Sequence, residues 1–589
     1  MTPPPSFPPP AQDAMPTTKG LNFFLEDRSF QLLCEQVMGP EVFGRARPHL
    51  VALGEIAGSE LDELAALADR NPPVLRPFDA QGRRVDEIVK HPAYRRMEAI
   101  AFGRFGLAAM ANRPGVLDFA DRAPQAVKYA LSYLFAQSEF GLLCPVNMTD
   151  SCARMLRAFG SEELRARYLP HLTTTDPEAL WQGTQWMTER TGGSDVGAST
   201  TVARRGADGQ WRLWGDKWFT SVANAELALT LARPEGAPAG TRGLAMFLVP
   251  KYLPDGSKNA WTINRLKDKL GSRSMATGEV TYAGAVAYVV GELDSGFKQM
   301  MEMVNGSRLS NAMRAAGLMR RALLESLVHA RQRVAFGRPL IELPLLRSNL
   351  LGMLLDAEAA ASVILNGAAL LDRREAGGAE ARALARVWTP LAKYWITLRA
   401  RDVTAEAMNV RGGNGYVEEW VNPRLLRDAY LGAIWEGSAN VVALDVQRAI
   451  LKDRGLEALA AFANERLGRV AEAAAKPLVD LARAGLEAVT RQCAGWAAQP
   501  AAERELAARP VADALYHLLA GALLLAEGEA LREQGRGFRK LLVGGLYLTR
   551  WLAARPAASP PFTARQIEWL EPLADGRLID ESALADLEA

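Results

Sequence analysis

The chain has 589 residues, 49% of them hydrophobic, so it is long enough for three or four packed units rather than one core. Its 69 basic and 67 acidic residues leave a net charge of +2, which excludes the strong overall field of proteins that bind nucleic acid or membranes through charge alone. The four cysteines form no CxxC pair and only five histidines are present, so we expect neither a disulfide framework nor a zinc site, and we predict a cytoplasmic protein.

The first third of the chain is predicted to be helical after a short arm. Residues 1–20 are rich in proline and lack the basic and apolar regions of a signal peptide, which indicates a disordered arm. Residues 21–183 carry apolar side chains at spacings of three and four, interrupted at Asn71 and by a turn from Phe78. This spacing favours an N-terminal helical domain.

The pattern then changes to strands and back to helices. Residues 184–293 alternate apolar and polar side chains between turns that contain Gly and Pro, which predicts a small β domain. Residues 294–450 return to helical spacing, and residues 451–589 are predicted to add a further helical domain. The apolar run at 514–526 is too short to cross a bilayer, so no membrane span is expected. The fold class is therefore α+β, mainly α.

One carboxylate, Glu436, lies behind a glycine-rich turn and just before a predicted helix. Gly412 and Gly413 permit positive φ and a close approach to a bulky ligand, and Ser438 is typical of a helix N-cap. This arrangement suits a catalytic base. The alternative is that Glu436 only caps the helix or pairs with Arg448.

The order of helices, strands and long helices, together with residues 411–450, resembles the acyl-CoA dehydrogenase family over roughly residues 25–450. The resemblance implies an N-terminal helical domain, a central β-barrel and a C-terminal four-helix bundle, to which this chain adds its last helical domain. In that family a glutamate followed by Gly and Ser or Thr takes the α-proton of an acyl thioester, which is the role implied for Glu436.

Some members of the family carry this glutamate just before an arginine on the first long helix of the bundle. Here Ser307 precedes Arg308, so no rival carboxylate occupies that site. Arg308 matches an arginine that the family keeps beside the active site, which implies a contact with the acyl-CoA substrate. An ordinary helix salt bridge is the alternative for Arg308.

Two segments of the β region resemble flavin-binding motifs of the family. Residues 186–200 are similar to its aromatic-x-x-Thr-Glu and Gly-x-Gly-Ser-Asp signature, and residues 215–221 to its G-x-K-x-W-[IF]-[TS] strand. The resemblance implies FAD as the cofactor, since no side chain accepts a hydride. For Trp218, packing in the core is the alternative. The residues implied at FAD are Met187, Thr188, Gly193, Ser194, Trp218 and Thr220.

A third segment, residues 330–340, resembles the R-x-x-F-G-x-P-[IL] element of the family. Arg333 is implied to reach the flavin pyrophosphate of a neighbouring subunit, where a planar guanidinium suits a diphosphate, and Phe336 to stack near the adenine. This implies a homotetramer. Asn409 replaces a longer glutamine of the family ahead of the glycine turn. The other residues implied at FAD here are Gly412, Gly413, Ser438 and Asn440.

Stretches that begin at Asn71, Leu142 and Asn264 resemble an adaptive-response branch of the family. Members of this branch bind FAD and double-stranded DNA, are linked to protection against alkylation damage, and dehydrogenate isovaleryl-CoA weakly. The first hypothesis is therefore an FAD-dependent acyl-CoA dehydrogenase, with a short branched acyl-CoA as a candidate substrate, that passes electrons to electron-transfer flavoprotein or a similar acceptor. The second is a DNA-associated stress protein in which dehydrogenation is vestigial.

A basic stripe in the last domain is the sequence feature that favours DNA, because affinity independent of sequence comes from Lys and Arg at phosphates. Its residues are Arg532, Arg536, Arg539 and Lys540. A solvated helix face is one alternative for the stripe. An amphipathic helix on a membrane surface, through residues 541–548, is another.

Overall fold

The computed structural model describes residues 15–587. Helices form where side chains cap their first turns: Asp27 accepts a hydrogen bond from the Phe30 amide at 3.0 Å, and Ser161 accepts one from the Leu164 amide at 3.3 Å. The elements of the first part are α1 (Arg28–Met38), α2 (Pro40–Ala57), α3 (Glu60–Arg70), β1 (Val74–Phe78), β2 (Arg84–Val89), α4 (Pro92–Glu98), α5 (Gln125–Ala136), α6 (Leu143–Phe159) and α7 (Glu162–Leu172).

Two predictions for this part are wrong in detail. Strands β1 and β2 form an antiparallel hairpin inside the region predicted to be helical. Pro72 and Pro73 disfavour a helix there, and Asp79 accepts hydrogen bonds from the Gln81 and Arg83 amides, both at 2.9 Å, which closes the turn. The hairpin reaches the β domain, because Arg84 donates to the Ile263 carbonyl at 2.7 Å.

The arm predicted to be disordered is ordered over residues 15–20. The Thr18 side chain is buried and donates to Glu325 at 2.5 Å, and Arg411 donates to the Pro16 carbonyl at 3.1 Å. These residues are fixed by buried hydrogen bonds, which composition does not reveal. Residues 1–14 of the predicted arm lie outside the described residues.

The central region folds into a closed barrel, as predicted. Strand β6 pairs with both β4 and β7, and β4–β5–β9–β7 completes the ring, while β3 and β8 add to β6 and β9. Inside it, Trp186 packs edge-on against Trp261, with ring centroids 5.2 Å apart. The strands are β3 (Gly183–Trp186), β4 (Val202–Arg205), β5 (Trp211–Ser221), β6 (Leu227–Pro234), β7 (Ala245–Pro250), β8 (Trp261–Leu266) and β9 (Thr277–Val289).

The bundle is organised around one long helix, α8, whose residues 306–327 are buried without interruption. A helix that is buried on all sides must satisfy its polar side chains internally or use them for function. The elements of this region are α8 (Gly296–Gln332), β10 (Val334–Ala335), β11 (Arg338–Pro339), α9 (Pro344–Glu375), α10 (Ala379–Arg411), α11 (Asn422–Gly432) and α12 (Ala439–Lys452).

The helices that follow α12 extend the hydrophobic core of the bundle. Trp395 of α10 stacks on Tyr516 with centroids 4.4 Å apart and meets Trp551 edge-on at 5.5 Å, and one hydrophobic cluster runs from Phe23 to Leu584. The helices are α13 (Gly455–Gly468), α14 (Lys476–Ala494), α15 (Ala501–Glu533), α16 (Arg539–Leu552), α17 (Ala564–Ile567) and α18 (Leu570–Ala574). Residues 541–548 are all buried, so they form no membrane-surface face.

Two of the described helices, α9 and α15, are long and apolar enough to cross a membrane by length and composition. However, 83% and 89% of their most apolar windows are buried inside the protein. Helices that form the core of a protein give the same signal.

Candidate active site

The Glu436 carboxylate is held against α8 by two side chains one helical turn apart. Ser307 donates its hydroxyl to Oε1 at 2.7 Å, and Asn311 donates its amide to Oε2 at 3.1 Å. Glu436 has a φ of 53°, in the left-handed region that non-glycine residues rarely adopt, and Ser438 two residues later is the N-cap of α12. The strained turn thus presents a half-buried carboxylate in one fixed orientation.

Arg308 holds the turn that carries Glu436. Its Nε donates to the Glu436 carbonyl at 3.1 Å, and the same guanidinium forms a buried ion pair with Asp445 of α12. Although burial opposes it, the charges of Arg308 and Arg386 hold the pKa of Asp445 below its ordinary value. The structure thus shows the salt bridge that was the alternative for Arg308, while its contact with an acyl-CoA stays a prediction. Arg448 also pairs with Asp445, at 3.3 Å, and not with Glu436.

Lys393 of α10 supports the same turn, and the sequence motifs did not single it out. Its buried ammonium donates to the Ala433 carbonyl at 3.2 Å and to the Gly437 carbonyl. Burial lowers the pKa of Lys393 to about 7, although the neighbouring Glu436 raises it. A titratable cation that loses its proton near neutral pH thus lies beside the carboxylate.

Replacing Lys393 by Met should change how stability depends on pH. The folded pKa of Lys393 is about 7, below its ordinary value of 10.5, so between these values the unfolded chain binds a proton that the folded protein lacks. The wild type therefore gains stability as pH rises through this window, and the variant lacks that gain. Urea unfolding at about pH 7 and about pH 10 should show a growing difference between the two proteins. A difference independent of pH would contradict the assignment.

The barrel brings together the residues of the first two flavin-like motifs. The Trp218 amide donates to the Thr188 carbonyl at 2.8 Å, which joins the two segments. Thr220 is fully buried, and its hydroxyl has no hydrogen-bond partner among residues 15–587. Trp218 is half-buried, with the Lys267 ammonium 3.3 Å from its ring centroid, so core packing alone does not describe it. Met187 is also half-buried.

The glycine turn of the first motif is exposed and closely packed. Gly193 and Ser194 both lie at the surface. A side chain at 193 would bring its Cβ to 2.7 Å from the Thr188 hydroxyl oxygen, so only glycine fits. The exposed Ser194 hydroxyl is free to contact a ligand that lies across the turn.

Glu189, which the sequence analysis did not single out, organises this turn. Its carboxylate is buried and accepts hydrogen bonds from the amides and hydroxyls of Thr200 and Thr201 and, at 2.8 Å, from the Lys217 ammonium. Burial opposes ionisation, but the charge of Lys217 and these donors lower the pKa of Glu189 to about 2. The sequence signal for this pair was present, because Glu189 is the Glu of the Thr-Glu motif and Lys217 is the Lys of the Gly-x-Lys motif.

The remaining predicted FAD residues form two exposed groups. Ser438 and Asn440 lie at the start of α12, close to Glu436. The second group is at the other end of the bundle: Arg333 follows α8, about 37 Å along the helix from Arg308. Phe336 is 87% exposed there. Three further members, Asn409, Gly412 and Gly413, lie exposed at the end of α10.

The basic stripe predicted to contact DNA is neutralised inside the protein. Arg539 and Lys540 are buried, and both pair with Glu358 of α9. Burial opposes it, yet the charges of Arg539 and Lys540 lower the pKa of Glu358 to about 2. These two cations therefore cannot reach a phosphate, and their assignment to DNA is wrong.

The other two residues of the stripe are also paired. Arg536 bonds both carboxylate oxygens of Glu35, at 2.6 and 2.9 Å, and Arg532 pairs with Glu529 at 2.6 Å. The count over residues 532–565 overestimated the free charge, because the acidic partners lie outside that segment: Glu529 just before it, and Glu35 and Glu358 on other helices. The alternative interpretation, a solvated helix face, is also wrong for Arg539 and Lys540, because both are buried.

Three family models match the chain. The model of the adaptive response protein AidB N-terminal domain matches residues 14–178, the acyl-CoA dehydrogenase middle domain matches residues 184–285, and the acyl-CoA dehydrogenase C-terminal domain matches residues 294–451. Together they span the helical part, the barrel and the bundle.

Known proteins with these domains are similar over most of their length. Escherichia coli AidB is 38% identical over 74% of this chain and 79% of its own length. Caenorhabditis elegans acyl-CoA dehydrogenase family member 11 is 31% identical over 86% and 84% of the two chains. The solved structure of C. elegans ACDH-11 in complex with C11-CoA has a TM-score of 0.85 at 27% identity, covering 95% of this chain and 94% of that one. The chain therefore belongs to the acyl-CoA dehydrogenase family.

Proposed function

We propose that this protein is an FAD-dependent dehydrogenase that removes the α-proton and the β-hydride of an acyl-CoA thioester. The observation that carries the proposal is the Glu436 carboxylate, fixed by Ser307 and Asn311 of the buried stretch of α8. Family membership supports it, and a related structure holds an acyl-CoA. Anaerobic titration of the purified protein with butyryl-CoA and isovaleryl-CoA should bleach the flavin band. Saturable binding of both without bleaching would refute the proposal.

The residues of the barrel fit a flavin. The buried Thr220 hydroxyl has no partner among residues 15–587, which is costly unless a ligand supplies one. Trp218 lies two residues before Thr220 on β5, and its amide bonds the carbonyl of Thr188, which follows β3. The exposed turn at Gly193 suits a phosphate. When bound, FAD supplies the hydride acceptor that no side chain provides.

The chain's own residues account for the proton. The α-proton of a thioester is too weakly acidic for a freely solvated carboxylate, so the base must be partly desolvated and accurately aligned. Glu436 meets this requirement, because Ser307 and Asn311 fix both oxygens and Arg308 fixes the backbone. The proton of the substrate passes to a Glu436 oxygen, and Lys393 stabilises the turn that carries it.

A second copy of the chain would complete the cofactor site. Arg333 caps the end of α8, about 37 Å along the helix from Arg308 beside the Glu436 turn, and Phe336 follows it in an exposed turn. A guanidinium in that position suits the diphosphate of FAD held by a neighbour. A homotetramer, with electron-transfer flavoprotein or a similar protein as acceptor, agrees with this arrangement.

Replacing Thr220 by Val should weaken FAD binding without unfolding the protein. The hydroxyl has no hydrogen-bond partner among residues 15–587 to lose, so the cost falls on the complex with the cofactor. The expected loss is about 5- to 15-fold in affinity, the value of one hydrogen bond. Titration of the apoprotein with FAD, followed by flavin fluorescence, measures it. Unchanged affinity at an unchanged melting temperature would remove Thr220 from the cofactor site.

A further inference from the structure

Arg314, on α8, carries a fully buried guanidinium whose terminal nitrogens are unsatisfied. Neither Nη1 nor Nη2 has a hydrogen-bond partner among residues 15–587, and Nε donates one weak hydrogen bond, to the Ser310 carbonyl at 3.4 Å. A buried cation without an acceptor is expensive, whereas buried arginines are normally paired. This unfavourable burial of a charge lies in the middle of the buried stretch of α8.

Two aromatic rings hold the Arg314 guanidinium next to the proposed base. It lies 5.1 Å from the ring centroid of Phe140 and 5.0 Å from that of Trp435, and these rings stack on each other at 5.7 Å. Trp435 immediately precedes Glu436. Asn311, which binds the Glu436 carboxylate, is three residues before Arg314 on the same helix. The guanidinium therefore lies one helical turn beyond the carboxylate.

The space beside Ser310 has a mixed lining. A small cavity there is lined by Ser310 together with Lys128, Tyr129, Ser132 and Asn147 of α5 and α6, as well as apolar side chains. The carboxylate of Asp150 already pairs with Lys128 at 2.6 Å, so it is not an acceptor for Arg314. A buried guanidinium whose terminal nitrogens have no acceptor among residues 15–587 disfavours an apolar group beside it and favours an oxygen-rich one.

We infer that Arg314 binds a carboxylate at the far end of the acyl group, so that the substrate is the CoA thioester of a short dicarboxylic acid. A carboxylate accepts two parallel hydrogen bonds from a guanidinium, which matches the two free nitrogens. Since Asn311 and Arg314 are about 4.5 Å apart along the helix, the two ends of the acyl group are separated by a few carbons. This inference rests on the proposed function and specifies its substrate.

Glutaryl-CoA and 5-methylhexanoyl-CoA make a matched pair of probes, because an isopropyl group replaces the carboxylate in the second at nearly the same shape. Isothermal titration of the holoprotein in the Glu436→Gln background measures their affinities without turnover. We expect glutaryl-CoA to bind at least about 10-fold more tightly. Equal affinity, or tighter binding of 5-methylhexanoyl-CoA, would overturn the inference, and this comparison needs no Arg314 variant.

Adding Arg314→Gln to the Glu436→Gln variant should weaken the binding of glutaryl-CoA about 10- to 100-fold. The affinity for 5-methylhexanoyl-CoA should change less than about threefold. Arg331→Gln, near the end of the same helix, is the matched control and should change neither. An equal loss for both probes would show that Arg314 is structural, and would overturn the inference. The proposed function fails separately, if no acyl-CoA bleaches the flavin of the wild type.

Discussion

Replacing Glu436 by Gln should slow flavin reduction by an acyl-CoA about 10²- to 10⁴-fold while leaving flavin content unchanged. This is the usual contribution of a positioned general base, and the amide keeps the size of the side chain but cannot accept the α-proton. Ser307 and Arg308 still hold the turn in the variant, because the Arg308 bond is to the backbone carbonyl. Anaerobic stopped-flow absorbance at saturating acyl-CoA measures the rate.

The matched control is Glu189→Gln, which replaces a buried glutamate of the other motif. Glu189 accepts hydrogen bonds from Thr200, Thr201 and Lys217. Loss of its carboxylate should therefore lower the stability and the flavin content of the protein, but not the rate at which the bound flavin is reduced. If Glu436→Gln reduced its flavin at the wild-type rate, Glu436 would not be the base.

Replacing Arg539 by Ala should destabilise the protein by about 3–5 kcal/mol, because it leaves the buried Glu358 carboxylate without its main partner. The midpoint of urea unfolding measures the loss. Arg536→Ala is the control from the same stripe. Its pair with Glu35 is partly exposed, so the expected loss is below about 1 kcal/mol.

The loss of stability caused by Arg539→Ala should depend on pH. The pKa of Glu358 is about 2 in the folded protein, below its ordinary value of 4.5, so the pair stabilises the fold above about pH 4.5. That stability is lost as pH falls from about 4.5 towards about 2. The difference between wild type and Arg539→Ala should therefore shrink in acid. Equal stability of the two proteins at neutral pH would contradict a buried ion pair.

Periodicity and motifs along the chain were sufficient for the architecture. Apolar spacing predicted helices, a β domain and helices again in the order that the structure shows, and the family resemblance implied the barrel and the bundle. Ser307 was noted as the residue in place of a second carboxylate. The hairpin at residues 74–89 was missed, because two short strands interrupt a helical pattern that resumes at Pro92. Local composition cannot distinguish such a hairpin from a loop.

Residues that act through long-range pairing could not be predicted from local patterns. Lys393 meets the Gly437 carbonyl 44 residues further along, and Arg539 meets Glu358 across 181 residues. A count of charges in one segment treats such residues as free, although their partners lie on other helices. The free charge of the basic stripe was overestimated for this physical reason.

A substrate analogue that can lose its α-proton but not a hydride tests the role of Glu436 most directly. In a 3-thia-acyl-CoA, sulfur replaces the β-carbon, so deprotonation at Cα is the only reaction available, and the anion gives a long-wavelength absorbance band beside an oxidised flavin. The wild-type holoprotein should develop this band, and Glu436→Gln should bind the analogue without it. An equally strong band in the variant would contradict proton removal by Glu436.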